Sequence, residues 1–248
     1  MLTGVHLTAW QLTWRVTADR AARGMVLGHG HQLLDEAVRR EGLNLTEAQQ
    51  VALLAYMDLI GKWNQVYNLT AVREVANMLT HHLLDSLVVI APLQRQISEY
   101  FPEALTVKLL DVGSGAGLPG VVIAICCPQV QVTCVDTVAK KTAFVRQVAV
   151  SLQLPNLRGL HARVEMIVEP HEVVCSRAFA SLVDFARWSR AALAQRGVWM
   201  AMKGRQPIDE IDALPANVRV FHVEPLTVPG LDAQRCIVWM KKSPPTLA

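Results

Sequence analysis

Several functional classes are excluded by what this chain lacks. Its eight histidines show no metal-ligand spacing and its five cysteines form no C-x-x-C pair, so no metal site is expected. The cysteines, Cys126, Cys127, Cys134, Cys175 and Cys236, are odd in number, and four of them sit inside apolar runs. They read as buried, reduced thiols of a cytoplasmic protein, not as a disulfide framework. No stretch reaches about 18 apolar residues free of charge, so no membrane span is expected. The first residues lack the continuous apolar run of a secretory signal. There is no internal repeat and no low-complexity tract. Charge is scarce as well: 18% of residues are charged and the net charge is +3, which permits an acidic partner without demanding one.

What is present is apolar. At 248 residues and 52% hydrophobic, the chain has material for one α/β domain of ordinary size plus a small appendage. Residues 1–24 stand apart as an N-terminal extension. Leu7, Trp10 and Trp14 share a helical face there, and the competing reading is a loosely attached end. Met25 is a second candidate start, and His29 and His31 are expected to be solvated.

Residues 25–104 read as a helical region. Thr46 and Gln49 have the spacing of a capping box. Leu53, Tyr56, Met57, Ile60, Trp63 and Tyr67 then recur at helical intervals. After the polar connector WNQVYNLTAVRE, a second helix is expected from about Glu74, with Val75, Met78, Leu79, His82, Ser86 and Ile90 on one face. Pro92 and Pro102 are expected to bracket a connector.

From residue 105 to 248 the rhythm changes. Strands are predicted at VKLLDV, VQVTCV, LRGLHA, EVVCSR, VWMAMK, VRVFHV and CIVWMKK, with helices over 119–126, 138–153, 182–195 and 208–214. Strands separated by crossover-length helices predict a Rossmann-like, mostly parallel sheet covered on both faces. The last two strands, joined by EPLTVPGLDAQR, predict an antiparallel pair at one edge.

The loop LLDVGSGAGLPG carries the chemistry. Gly115 to Gly120 matches G-x-G-x-x-G, a weak signal for dinucleotide binding when it stands alone. Asp111, two residues before Gly113, would repel a pyrophosphate but suits the ammonium of S-adenosylmethionine, and that asymmetry favours the methyl donor. Asp136, at the end of the second strand, is placed to accept ribose hydroxyls, with a helix cap as the competing role. After the third strand, Val164 and Glu165 face the expected position of an adenine. Arg177 and Lys203 close the fourth and fifth strands at the carboxyl edge of the sheet, where ligands bind.

Together WNQVYNLTAVRE, HHLLDS, LLDVGSGAGLPG, VDTVAKKTAFVRQV, ARVE, SRAFAS and MKGRQP resemble the glucose-inhibited division protein B family. The resemblance runs in order from Leu33 to Lys241. It implies a class I S-adenosylmethionine-dependent methyltransferase domain behind a helical region. It also implies methylation of guanine N7 in the 530 loop of 16S ribosomal RNA, free or in the small ribosomal subunit. The donor positions it implies are Gly113, Leu118, Val164, Glu165 and Arg177, to which the residue reading adds Asp111, Gly115 and Asp136. Arg163 and Lys203 match basic positions facing donor or RNA. Two departures stand out: His81 replaces an arginine common in the family, and residues 1–24 have no counterpart.

No catalytic dyad is visible at the strand ends, and guanine N7 needs none because its lone pair carries no proton. Arg163, Arg177 and Lys203 are therefore expected to position and not to transfer protons. Lys140, Lys141, Arg146 and Arg205 form a candidate basic surface for RNA, with a solvated face as the alternative. Trp63, Tyr67 and Trp188 are candidate base-stacking residues, with core packing as theirs. Two other functions compete, an NAD-dependent oxidoreductase and a non-catalytic RNA-binding module. The first lacks a Tyr-x-x-x-Lys pair or a strand-end histidine; the second does not explain the intact glycine loop. A monomer is expected, since no long heptad pattern is present.

Overall fold

The structure, a computed structural model, describes residues 32, 34–67, 69–70 and 75–243. The expectations for residues 1–24, Met25, His29 and His31 lie outside the described residues. None of the described helices is long and apolar enough to cross a membrane.

Seven strands form one sheet in the order β3-β2-β1-β4-β5-β7-β6. They are β1 (Val107–Val112), β2 (Val130–Asp136), β3 (Leu157–His161), β4 (His171–Arg177), β5 (Leu193–Lys203), β6 (Val218–Leu226) and β7 (Arg235–Lys242). Pairs among β1 to β5 are parallel. β7 runs against both β5 and β6, so the reversed strand lies one place in from the edge. The central strands are apolar on both faces, as a sheet sandwiched between helices requires. In β1, every residue but Lys108 is buried.

The helical region begins with α1 (34–40) and α2 (Glu47–Tyr67). The capping box is formed: Thr46 N–H donates to Gln49 Oε1 at 2.9 Å, and Gln49 N–H donates to Thr46 Oγ1 at 3.2 Å. Gln49 also donates Nε2 to the carbonyl of Ile125 at 2.9 Å, fastening α2 to the end of α6 (Gly120–Cys126). Next come α3 (Val75–Met78), a π-helical turn over Leu79–Leu84, α4 (Asp85–Leu87) and α5 (Ile90–Tyr100). The connector expected between Pro92 and Pro102 is thus mostly helix. Pro92 sits in the first turn of α5, where a missing N–H leaves no bond unmade.

α7 (Ala139–Ser151), α8 (Leu182–Ser189) and α9 (Ile208–Asp212) complete the helices that flank the sheet. The helix predicted over 182–195 stops at Ser189, and β5 starts at Leu193. Tertiary contacts override the helix-forming alanines here. Ser189 Oγ donates to the Phe185 carbonyl at 2.6 Å and accepts from the buried Trp199 indole at 2.9 Å, while Leu193 pairs with His171 in the sheet.

One apolar cluster runs without a break from Leu34 and Leu53 through Ile90 to Val121, Phe144 and Trp239. A second cluster, with Trp199, Phe185 and Leu182, fills the other face of the sheet. The first cluster has an ionic clasp at its rim. Asp85 is buried, and its Oδ2 accepts from Arg177 Nη1 at 2.9 Å while Oδ1 accepts from Arg235 Nε at 2.7 Å. Arg177 Nη1 also donates to the His81 carbonyl at 3.0 Å, a carbonyl presented by the π turn. The end of β4 and the start of β7 are in this way bound to the helical region through one carboxylate. Asp85→Ala would leave two largely buried guanidinium groups without their counter-ion, and should cost about 3 kcal/mol. Urea unfolding measures this; a loss under about 1 kcal/mol would show that the clasp carries little weight.

Candidate active site

The glycine loop rises from β1 and bends over the end of β2. The N–H groups of Gly113 and Ser114 both donate to the Val135 carbonyl, at 2.9 and 3.1 Å. Gly113 has φ +66°, and a Cβ there would lie 2.6 Å from Cδ2 of Phe179. Gly115 has φ +60°, but a Cβ there would meet nothing within 4 Å. The two glycines serve different ends: one lets an aromatic ring lie against the backbone, and the other borders open space.

Three side chains hold this loop. Gly120 N–H donates to Asp111 Oδ2 at 2.9 Å, Gly115 N–H donates to Asp136 Oδ2 at 3.0 Å, and Tyr56 donates its hydroxyl to the Ala116 carbonyl at 2.7 Å. Asp111 is fully buried beneath the loop, and its Oδ1 has no hydrogen-bond partner among the described residues. Burial pushes its carboxyl up to about 7, against the opposing pull of the Gly120 N–H and of Arg177. The acid expected to meet an ammonium therefore grips the loop from below.

Asp136 closes β2 and is bound on both carboxylate oxygens by backbone N–H groups. Its Oδ1 accepts from Val138 N–H at 2.8 Å, just before α7, while Oδ2 takes Gly115 N–H. Lys141 approaches Oδ2 at 3.8 Å. Each carboxylate oxygen has a second lone pair, so this capping does not exhaust its capacity to accept.

Leu118 and Val164 are buried, and Glu165 is exposed beside Arg163, whose Nη2 donates to it at 3.1 Å. Glu165 is held below its ordinary value by its own backbone N–H and then by Arg163. Arg177 is engaged by Asp85 and the His81 carbonyl as described above. Lys203 does not project freely: Nζ donates to both oxygens of Glu210, at 3.0 and 2.8 Å, and to the Ala180 carbonyl at 3.2 Å. Glu210 Oε2 in turn accepts Leu182 N–H at 2.7 Å, at the start of α8. Lys203 thus ties down the loop 178–181 between β4 and α8.

That loop carries Phe179, which sequence reasoning missed. Ala178 before it has φ +50°, a left-handed backbone that costs a non-glycine residue about 1–2 kcal/mol. The strained residue orients Phe179 against Gly113, with Trp188 edge-on behind it at 5.8 Å. Of the other candidate stacking residues, half-buried Trp63 packs on Phe144 at 5.2 Å and Tyr67 at 5.0 Å. Lys140 and Arg205 are exposed, whereas Arg146 donates Nε to the Gly159 carbonyl at 2.9 Å. Tyr56, Asp85 and Glu210 were also missed as site-building residues. Their only signals were an acid or a phenol in otherwise ordinary helical sequence.

Strand order, reversed β7, a glycine loop after β1 and an acid closing β2 define a Rossmann-like class I methyltransferase. Solved structures agree on the fold. TrmN from Thermus thermophilus matches with a TM-score of 0.50 at 17% identity, over 66% of this chain and 53% of that one. MtNAS in complex with MTA and tNA matches with a TM-score of 0.52 at 14% identity, over 79% of this chain and 74% of that one. Among curated proteins, the Ribosomal RNA small subunit methyltransferase G of Polaromonas sp. (strain JS666) is 63% identical, over 86% of this chain and 93% of that protein. Its namesake from Polaromonas naphthalenivorans is 65% identical, over 80% and 90%. The GidB family model, described as rRNA small subunit methyltransferase G, matches residues 49–238. The chain belongs to this family.

Family membership brings S-adenosylmethionine as the methyl donor, and the loop fits it. The space beside Gly115 is open, and Asp136 can still accept hydroxyl protons. Gly115→Ala should fill that space while costing the fold only about 1–2 kcal/mol for its positive φ. Donor affinity by calorimetry should drop at least tenfold, and an unchanged affinity would place the donor elsewhere. Asp111 generates a pH effect. Its raised folded value means that its contribution to stability is full below the ordinary carboxylate value and is lost as pH rises through about 7. Between pH 5 and 8, Asp111→Asn should therefore gain stability relative to the unaltered protein in thermal melts. A pH-independent difference would refute the assignment.

Proposed function

We propose that this protein methylates N7 of a guanine in the 530 loop of 16S ribosomal RNA, acting as a monomer in the cytoplasm. One observation carries the choice of atom. The carboxylates around the loop mouth are already committed: Asp85 to two arginines, Glu210 to Lys203 and Leu182 N–H, Asp136 to two backbone N–H groups, and Glu165 to Arg163. His82 is buried, and burial followed by Arg177 holds its imidazole below the ordinary value, which makes it a poorer proton acceptor. Asp111, whose carboxyl is pushed up to about 7, is fully buried beneath the loop, so among the described residues no ready base faces the acceptor, and this suits an acceptor that has no proton to lose. Guanine N7 is such an acceptor; an exocyclic amine or a ribose hydroxyl is not.

S-adenosylmethionine supplies an electrophilic methyl group on a sulfonium. The residues of this chain position its partners. Gly113, Gly115 and Leu118 shape the bed, Asp136 accepts ribose hydroxyls, and Val164 and Glu165 border the adenine. Arg177, steadied by Asp85, faces the donor carboxylate or an RNA phosphate, and Arg163 reaches the RNA. Phe179, pinned through Ala180 by Lys203, offers a ring on which an unstacked guanine can lie. Holding two reactants in line lowers a barrier by up to roughly 7–11 kcal/mol, so orientation alone supports useful turnover.

The test is direct. Small subunits from cells lacking the gene are incubated with purified protein and donor, and the rRNA nucleosides are analysed by mass spectrometry. One new 7-methylguanosine, mapping to the 530 loop, is expected. Methylation at another atom, or none on either subunits or free 16S rRNA, would overturn the reading.

A further inference from the structure

A second basic feature lies away from the glycine loop, where α5 faces the β6–β7 hairpin. A cleft of about 690 Å³ opens there, lined by Arg95, Gln96, Glu99 and Tyr100 of α5 and by Arg219, Phe221, His222 and Lys241 of the hairpin, so that three permanent cations face one carboxylate. Lys241 pairs in register with Val198, Val198 with Val173, and Val173 with Leu109. Strand spacing and rise then put the cleft roughly 20 Å from Gly113.

The cleft is built by an irregularity in β6. Val220 opposes Met240 and His222 opposes Trp239, so Phe221 is an extra residue in the ladder. Such a bulge re-aims side chains, and here Phe221 and His222 both join the cleft. Arg219 stands directly opposite Lys241 across the ladder. Like charges in this position are destabilising. Among the described residues neither of the two pairs with a carboxylate, whereas Arg95 is taken by Glu224. Lys241 is partly relieved by two rings, those of Tyr100 and Phe221, whose centroids lie 5.4 and 5.2 Å from Nζ. On the floor, Gln96 is only 8% exposed, and its Oε1 has no hydrogen-bond partner among the described residues. An acceptor buried in this way carries a desolvation cost until a donor reaches it.

We infer that this cleft binds the sugar-phosphate backbone of the RNA substrate at a point distant from the methylated base. The inference rests on the rRNA-methyltransferase reading and extends it. Phosphate oxygens satisfy Arg219 and Lys241, which lack a carboxylate partner among the described residues, and a Gln96 side chain that turns outward meets a ribose 2′-hydroxyl as its donor. The two rings pack on each other, with centroids 5.3 Å apart, and Lys241 caps the pair, so no slot for a base is left between them and the cleft reads backbone and not base sequence. A small anion would meet the charges but could not also bridge to the donor pocket; an extended RNA does both.

The test compares the unaltered protein with the double variant Arg219→Gln, Lys241→Gln. Removing a destabilising like-charge pair should not lower the melting temperature, and donor affinity should be unchanged. Binding is measured to a short 530-loop hairpin, to the 5′ half of 16S rRNA and to the intact subunit, each over a range of salt. Affinity for the long RNA should fall about tenfold, and the slope of log K against log salt should shrink by about 1.4, two single-strand contacts' worth. The short hairpin should lose less than twofold. Unchanged binding to the long RNA overturns the inference, as does an equal loss on the hairpin. A loss seen on the intact subunit but not on naked RNA also overturns it and assigns the cleft to a ribosomal protein. If the unaltered protein binds none of the three, the rRNA reading itself falls.

Discussion

The turn from Gly113 to Gly120 depends on burying acids beneath backbone N–H groups. A peptide bend with several left-handed residues has few internal hydrogen bonds, so its donors need outside acceptors. Asp111 and Asp136 provide them from neighbouring strand ends, and Val135 adds its carbonyl. The arrangement holds the bend through the chain's own residues. Its cost is a carboxyl held in an apolar enclosure with Cys134 and the Tyr56 ring nearby, which is why burial dominates the titration of Asp111. Glycine at 120 belongs to the same arrangement. A Cβ there would stand 2.5 Å from Cys134 Sγ and 2.8 Å from Asp111 Oδ2, closing the gap that the hydrogen bond needs.

The helical region is part of this machinery. Tyr56 of α2 closes the loop at Ala116, Gln49 holds the end of α6, and Asp85 joins the arginines of β4 and β7. Asp85 directly follows a π turn over Leu79–Leu84, a form often found at functional sites. The backbone carbonyl of His81 contributes to Arg177, while its side chain is exposed. The histidine at 81 is therefore compatible with the clasp, since the clasp uses only the main chain at this position.

Much of the sheet was legible in the sequence for a simple reason. Buried parallel strands such as VKLLDV and VQVTCV are apolar on both faces, and the glycine loop and the proline-flanked turns punctuate them clearly. Where reading failed, distant contacts decided. The alanines at 191–192 favour helix, yet the pairing of Leu193 with His171 and the Trp199–Ser189 bond convert that stretch to a turn and strand. Pro92 looks like a breaker but falls in a first turn. At the site, the glycines and Asp136 were legible because their spacing is local. Phe179 was not, because its importance comes from a left-handed Ala178 and from proximity to Gly113 more than sixty residues earlier. The sealing of Lys203 by Glu210 was equally hidden, since a carboxylate seven residues away in IDEID gives no sign of folding back.

All five cysteines are buried and free. Burial raises each thiol's proton affinity, Cys127 to about 11, and keeps reagents out as well. For spectroscopy this makes the native chain silent toward maleimide dyes without any cysteine being removed. A single cysteine engineered on the surface would be the one labelled position, and distances from it to a dye-bearing RNA could be followed on an otherwise unaltered molecule.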